Sequence, residues 1–145
     1  LPDKLDLFSI GRLDYDTTGI LLVTNDGDLC YKLTHPKFNV NKKYYVFTDK
    51  KLSNSDILSI KKGIKIDNEI LKANVKFLEN INNGYFWDVV LTEGKNREIK
   101  RIFNFFDIKV LNLHRYEFSG LRMNELKEGK FRKISKKDFN RIIRK

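Results

Sequence analysis

The chain has 145 residues, a length typical of one domain, and its 41% hydrophobic and 33% charged residues provide for a packed core and argue against global disorder. Lys and Arg number 29 against 19 Asp and Glu, and the net charge of +10 favours a polyanionic partner: nucleic acid first, an anionic membrane surface second. No apolar run approaches the roughly 20 residues needed to span a bilayer, and the single Cys30 excludes an intrachain disulfide and fits a reducing cytoplasm.

In chain order, Ile20-Leu21-Leu22-Val23 is wholly apolar and predicts a short strand covered on both faces. Asn25-Asp26-Gly27-Asp28 is a turn signal, and Asp28 to Thr34 can form a short helix that stops before Pro36. Lys43 to Thr48 reads as a strand of aromatic and β-branched residues. Ser53 to Lys62 reads as a helix, with Ser53 or Ser55 to cap its start and Lys61, Lys62 and Gly63 suited to its end. Ile64 to Ile66, Ala73 to Leu78 and Tyr85 to Leu91 are strand candidates. Asn82-Asn83-Gly84 joins the last two as a hairpin, with Trp87, Val89 and Leu91 sharing one face.

Arg97 to Phe106 predicts an amphipathic helix, because Ile99, Ile102, Phe103 and Phe106 recur at helical spacing and leave Arg97, Lys100 and Arg101 off the buried stripe. Ile108 to Leu113 is another strand. Ser135-Lys136-Lys137-Asp138 opens a final helix with Phe139, Ile142 and Ile143 inward. Strands outnumber helices and mix with them irregularly. That is an α+β pattern, a mostly antiparallel mixed sheet flanked by helices, and not a repeating parallel array.

Three segments have the residue types for chemistry. Gly11-Arg12-Leu13-Asp14-Tyr15-Asp16-Thr17-Thr18-Gly19 brackets an Arg-Leu-Asp core with glycines just before a strand. Asp14 there can serve as a carboxylate nucleophile or base, and Arg12 can contact phosphate or fill the space of a displaced base. The local pattern alone favours a plain surface turn. Glu93 to Phe103 sets four basic residues around a helix start, where cations oppose the helix dipole. Phosphate binding, pairing with a buried carboxylate and simple solvation all remain open for it. In Lys42-Lys43-Tyr44-Tyr45-Val46 the two tyrosines point to opposite strand faces, so one can stack on a nucleobase, worth about 1–3 kcal/mol, while core packing suits either. His35 and His114 lack metal-ligand spacing. Asp14, Asp16, Asp26 and Asp28 could hold Mg²⁺ in principle, but Asp26-Gly27-Asp28 is better explained as a turn.

Taken in order, these segments resemble the RsuA family of ribosomal pseudouridine synthases. The resembling text is Gly11-Arg12-Leu13-Asp14, then Thr18 to Gly27, Leu33-Thr34-His35-Pro36 and the Lys42, Tyr44 pair. Glu93-Gly94-Lys95-Asn96-Arg97-Glu98-Ile99-Lys100-Arg101, Leu113-His114-Arg115 and Leu126 to Arg132 follow. The match covers nearly the whole chain. Each element is weak, and the ordered set is specific.

The resemblance implies an isomerase without cofactor or metal that detaches a uracil from its ribose, turns it, and rejoins it through carbon 5, in ribosomal RNA. The base must leave the RNA stack to be reached. By resemblance Asp14 is the essential aspartate, attacking sugar or ring or removing a sugar proton. Tyr44 stacks on the uracil and assists proton removal from carbon 5. Lys100 pairs with Asp14, at a position where relatives often carry Arg. Leu113 lies beside the base, Arg12 takes the space of the flipped nucleotide, and Lys42, Arg97 and Arg101 contact RNA. Asn96-Arg97 resembles large-subunit members slightly more than small-subunit ones.

Members of this family begin with a small RNA-binding domain and a sheet strand before the Gly-Arg-Leu-Asp loop, whereas ten residues precede Gly11 here and Leu1-Pro2-Asp3-Lys4 has no Met or leader. Residues 1–145 are therefore expected to be a catalytic domain lacking those parts, monomeric and cytoplasmic. Two other readings stay open: a non-catalytic rRNA-binding or assembly module of the same fold, and an Mg²⁺-dependent phosphodiesterase, which requires clustered carboxylates.

Overall fold

The computed structural model describes residues 6–95, 97–124 and 126–143; Leu1 to Lys4, Asn96 and the Ile143 side chain lie outside it. The chain opens with β1 (Phe8–Ile10), β2 (Thr17–Gly19) and β3 (Leu22–Thr24), each only three residues long. β1 and β3 pair antiparallel as a small two-stranded sheet. The helix α1 (Gly27–Thr34) packs against it. Because α1 covers one face only, this strand alternates. Leu22 is buried while Leu21 is 42% and Val23 37% exposed, so the expectation of a strand covered on both faces is corrected. The Asn25 to Asp28 turn signal is a helix start: Asp26 caps α1 by accepting the backbone N–H of Asp28 and of Leu29.

After a 3-10 turn (Pro36–Phe38), β4 (Lys42–Thr48) buries Tyr44, Val46 and Thr48 on one face and half-exposes Lys43, Tyr45 and Phe47 on the other. Helix α2 (Asn54–Lys62) starts at a capping box in which Ser53 and Asp56 satisfy each other's backbone N–H. β5 (Ile64–Ile66) and β6 (Glu69–Leu71) form a tight hairpin across Asp67 and Asn68, both at positive φ. β7 (Asn74–Ile81) and β8 (Gly84–Leu91) form the expected hairpin, with Asn82 and Asn83 in the left-handed region that such turns require.

Helix α3 (Glu98–Phe105) buries Ile99, Ile102 and Phe103, and Phe103 meets the Trp87 ring at 6.0 Å. β9 (Val110–Phe118) runs well past Leu113, where the apolar pattern ends, because Arg115 and Glu117 are buried by partners from other strands. β10 (Leu121–Arg122) folds back on it. Helix α4 (Lys136–Ile143) starts with Ser135 accepting the N–H of Asp138. Ile142 is buried in the smaller of two apolar clusters and its carbonyl accepts from Ser119 Oγ, but Phe139 is 39% exposed rather than inward.

The main sheet has the order β10-β9-β4-β8-β7, antiparallel throughout, with β2 added parallel to β9. This is the α+β fold with a mixed, mostly antiparallel sheet that the sequence predicts. Its apolar interior falls into two clusters. The larger joins the sheet to α2 and α3 around Trp87, Val46 and Phe103; the smaller gathers Ile10, Ile20, Leu22, Leu33, Phe118 and Ile142. No helix among the described residues is long and apolar enough to cross a membrane.

Candidate active site

The Gly11 to Asp16 loop is held at its far end by β2. Thr17 pairs with Leu113 and Gly19 with Arg115, so the loop leaves the sheet beside the middle of β9. Gly19 has φ of 119°, and a Cβ there would come within 2.7 Å of Arg115 N and collide with its carbonyl oxygen. Only glycine permits this approach. Arg115, 2% exposed, fastens the same junction: its Nε and Nη2 donate to the carbonyl of Ile20 at 2.9 and 2.7 Å. At the same far end of the loop the Thr17 N–H returns to the Asp14 carbonyl at 2.9 Å.

α3 brings the cations. Arg97, in the left-handed region at φ 51°, precedes the first turn, and its Nη1 lies 3.9 Å from Asp14 Oδ2. One turn on, Lys100 Nζ lies 3.7 Å from Asp14 Oδ2 and in direct contact with Asp16 Oδ1. The Lys100 hydrogen bond holds the Asp16 carboxyl below its ordinary range. Lys100 is thus shared between two aspartates. Among the described residues no three His, Cys, Asp or Glu side chains converge as metal ligands.

A cavity of about 480 Å³ opens between the loop, α3 and the sheet. Arg12, Asp14, Lys42, Tyr44, Arg97, Lys100 and Leu113 all line it. Tyr44 and Leu113 supply its floor from adjacent strands, both buried. Burial pushes the Tyr44 phenol up, partly opposed by the charge and the hydrogen bond of Arg115. Burial, then Arg115, pushes the Lys42 ammonium down, opposed by Glu98 and Glu93.

Arg101 is not brought to this cleft. It turns to the β5–β6 hairpin, where Nη2 meets Glu69 Oε1 at 2.9 Å and Asp67 Oδ2 at 3.8 Å. Conversely, Arg115, Glu93, Glu98 and Thr17 line the cavity without having been singled out from the sequence. Arg115 would have been found by extending β9 beyond its apolar half. The two glutamates sit inside the Glu93 to Arg101 segment, but their mutual proximity has no local signal.

Residues 2–105 match the family model described as RNA pseudouridylate synthase. An uncharacterized RNA pseudouridine synthase of Rickettsia typhi is 37% identical over 140 residues, covering 94% of this chain and 57% of that protein. Ribosomal large subunit pseudouridine synthase B of Bacillus subtilis is 32% identical over 146 residues, covering 98% of this chain and 59% of that protein. A crystal structure of pseudouridylate synthase superposes with a TM-score of 0.87 at 28% identity, over 94% of this chain and 60% of that one. The chain therefore spans less than two thirds of the length of these relatives.

Proposed function

The chain belongs to the RNA pseudouridylate synthase family, and from that premise we propose that it converts uridine to pseudouridine in ribosomal RNA with Asp14 as its catalytic residue. One observation carries this reading: Asp14, Tyr44, Lys100 and Leu113, far apart in sequence, line one cleft. Residues 1–145 serve as the catalytic domain, working on RNA in the cytoplasm as a monomer. The name of the Bacillus subtilis relative points to large-subunit rRNA as the substrate.

The reaction breaks the bond from ribose C1′ to uracil N1 and forms one from C1′ to C5. N1 gains a proton and C5 loses one, so atoms balance without an outside reagent. Asp14 starts it, by attack on sugar or ring or by taking a sugar proton. Lys100 and Arg97 flank the carboxylate and orient it. The Tyr44 phenol, raised by burial, is neutral near pH 7. It therefore acts as a ring on which the freed uracil turns and as a hydrogen-bonding relay for the C5 proton, not as a phenolate. Leu113 bounds the base, Arg12 occupies the place the nucleotide leaves, and Lys42 and Arg97 attract the phosphates.

The test is incubation of the full-length protein with unmodified rRNA and mapping of pseudouridine. Asp14→Asn removes product while leaving the melting curve intact. Full activity in that variant would overturn the assignment.

A further inference from the structure

The cleft wall holds two acids to which the mechanism gives no role. Glu93 follows β8, and Glu98 is the first residue of α3. Glu98 is only 3% exposed. Its Oε1 accepts the backbone N–H of Lys95 at 3.3 Å. Its Oε2 and the Oε1 of Glu93 are both buried with no donor among the described residues. Lys95 brings the two side chains together, its ammonium meeting Glu93 Oε2 and its backbone N–H meeting Glu98 Oε1, and Glu93 is among the groups that push the Glu98 carboxyl up. Ionised carboxylates only accept, and two of them buried together repel. The contact closes only with a proton in it.

The surroundings decide which acid holds that proton. Glu93 Oε2 has the Lys95 ammonium 3.2 Å away, a partner that favours the negative charge on Glu93 over Glu98. Glu98 receives a neutral backbone N–H and, among the described residues, forms no ion pair. A proton on Glu98 Oε2 would give both orphaned oxygens a partner, Glu98 Oε2 as donor and Glu93 Oε1 as acceptor.

We propose that Glu98 is a neutral acid sharing its proton with Glu93, and that this pair is a positioning device that fixes Lys95 and the start of α3, and with it Arg97, against Asp14. Lys95 is held in three ways: its ammonium by Glu93, its backbone N–H by Glu98, and its Nζ by the carbonyl of Ile70 on β6. Arg97 lies two residues on, immediately before Glu98, with a left-handed backbone and its Nη1 3.9 Å from Asp14 Oδ2. Burial first, then Glu93, pushes the Glu98 carboxyl up to about 8. The other charged or titratable groups facing it are Lys95 on the loop, Lys42 and Tyr44 on β4 and, beside these, Arg115 on β9. Sharing also keeps one negative charge off a wall where a polyanion is to bind.

Glutamine is the built-in control, because at position 98 its oxygen accepts from Lys95 while its amide donates to Glu93. Carboxyl ¹³C NMR of glutamate-labelled protein should show one residue titrating near 8, lost in Glu98→Gln. If every glutamate titrates near its ordinary value of about 4.3, the proposal is wrong. A carboxyl raised in the folded state stabilises fully below its unfolded value of 4.5, and that stability is lost as pH rises through about 8. Glu98→Gln should therefore melt above the wild type at about pH 9, with the gap closing at about pH 5.

The effect on activity rests on the function proposed above. KM for rRNA should rise several-fold for the wild type between about pH 7 and pH 9, stay flat for Glu98→Gln, and be raised about tenfold at both pH values for Glu98→Ala. Glu98→Gln behaving like Glu98→Ala would overturn the positioning role. If the NMR and melting results hold but no variant, nor the wild type, makes pseudouridine, the shared proton stands and the function is what fails.

Discussion

Lys100 Nζ stands 3.7 Å from Asp14 Oδ2 while touching Asp16 Oδ1 directly. The carboxylate proposed for chemistry thus shares its cation with a more exposed neighbour. At 3.7 Å the Asp14 contact is an ion pair rather than a hydrogen bond, worth about 1 kcal/mol, or roughly a fivefold change in rate. Lys100→Ala should lower kcat by about that factor. Lys100→Arg, whose fork can serve two carboxylates, should lose far less. Asp16→Asn should release Lys100 toward Asp14 and leave kcat within about threefold. Tritium release from carbon 5 of labelled uridine in rRNA reads all three.

Gly19→Ala should destabilise the protein by more than about 3 kcal/mol, because the new Cβ meets strand backbone that has no room to yield, at a φ that alanine resists. Urea unfolding followed by Trp87 fluorescence measures it. A loss under about 1 kcal/mol would mean that β2 does not lie where described.

Arg115→Met leaves the Ile20 carbonyl without its two guanidinium donors and should cost about 2–4 kcal/mol. Arg115→Lys keeps the charge and one donor and should recover about half. Urea midpoints at constant slope decide between them, and equal losses for both variants would show that packing matters there more than the hydrogen bonds.

The acid limb of stability should depend on Glu117. Burial raises this carboxyl, but hydrogen bonds from Arg122 at 2.9 Å and from Lys43 at 3.1 Å outweigh burial and hold it below 4.5. A depressed folded pKa gives stability that is present above the unfolded value and lost as pH falls through the folded one. Glu117→Gln should therefore be less stable near neutrality, with its difference from wild type shrinking as pH drops below about 4. Melting curves across that range give the answer.

RNA affinity should fall steeply with salt, and Arg97→Gln and Lys42→Gln should each reduce the slope of log Kd against log salt by about one. Arg101→Gln should leave the slope nearly unchanged and instead loosen the β5–β6 hairpin, since its guanidinium is engaged there. Titrations of fluorescent rRNA fragments at several salt concentrations separate the two behaviours.

What could be read in advance follows the range of the forces involved. Ser53 with Asp56, and Asn82-Asn83-Gly84, act within a few residues, so α2 and the β7–β8 hairpin are legible locally. β2 is not, because three residues become a strand only where β9 accepts them from the far end of the chain. β9 continues through polar Arg115 and Glu117 because Ile20, Arg122 and Lys43 satisfy them, and none of that is visible in a run of letters. Of the site, Asp14, Tyr44, Lys100 and Leu113 emerged from the order of motifs rather than from any one pattern. Arg101 was grouped with Lys100 by adjacency. One residue along a helix is a turn of about 100°, and it carries Arg101 away from the cleft. The Glu98 proton needs Glu93 across a loop, a relation that no spacing encodes.

The two apolar clusters meet at the cleft: Leu33 and Phe118 reach it from the smaller one, Tyr44, Ile99 and Leu113 from the larger. The opening therefore lies on a boundary in the side-chain packing that a single strand, β9, spans with Leu113 on one side and Phe118 on the other. Beyond that shared strand, β2 pairs with β9, Arg115 donates to the Ile20 carbonyl, and Arg97 and Lys100 meet Asp14 across the opening. Amide exchange should accordingly show two tiers of protection, deepest around Trp87 and Val46 and shallower around Leu22 and Ile142.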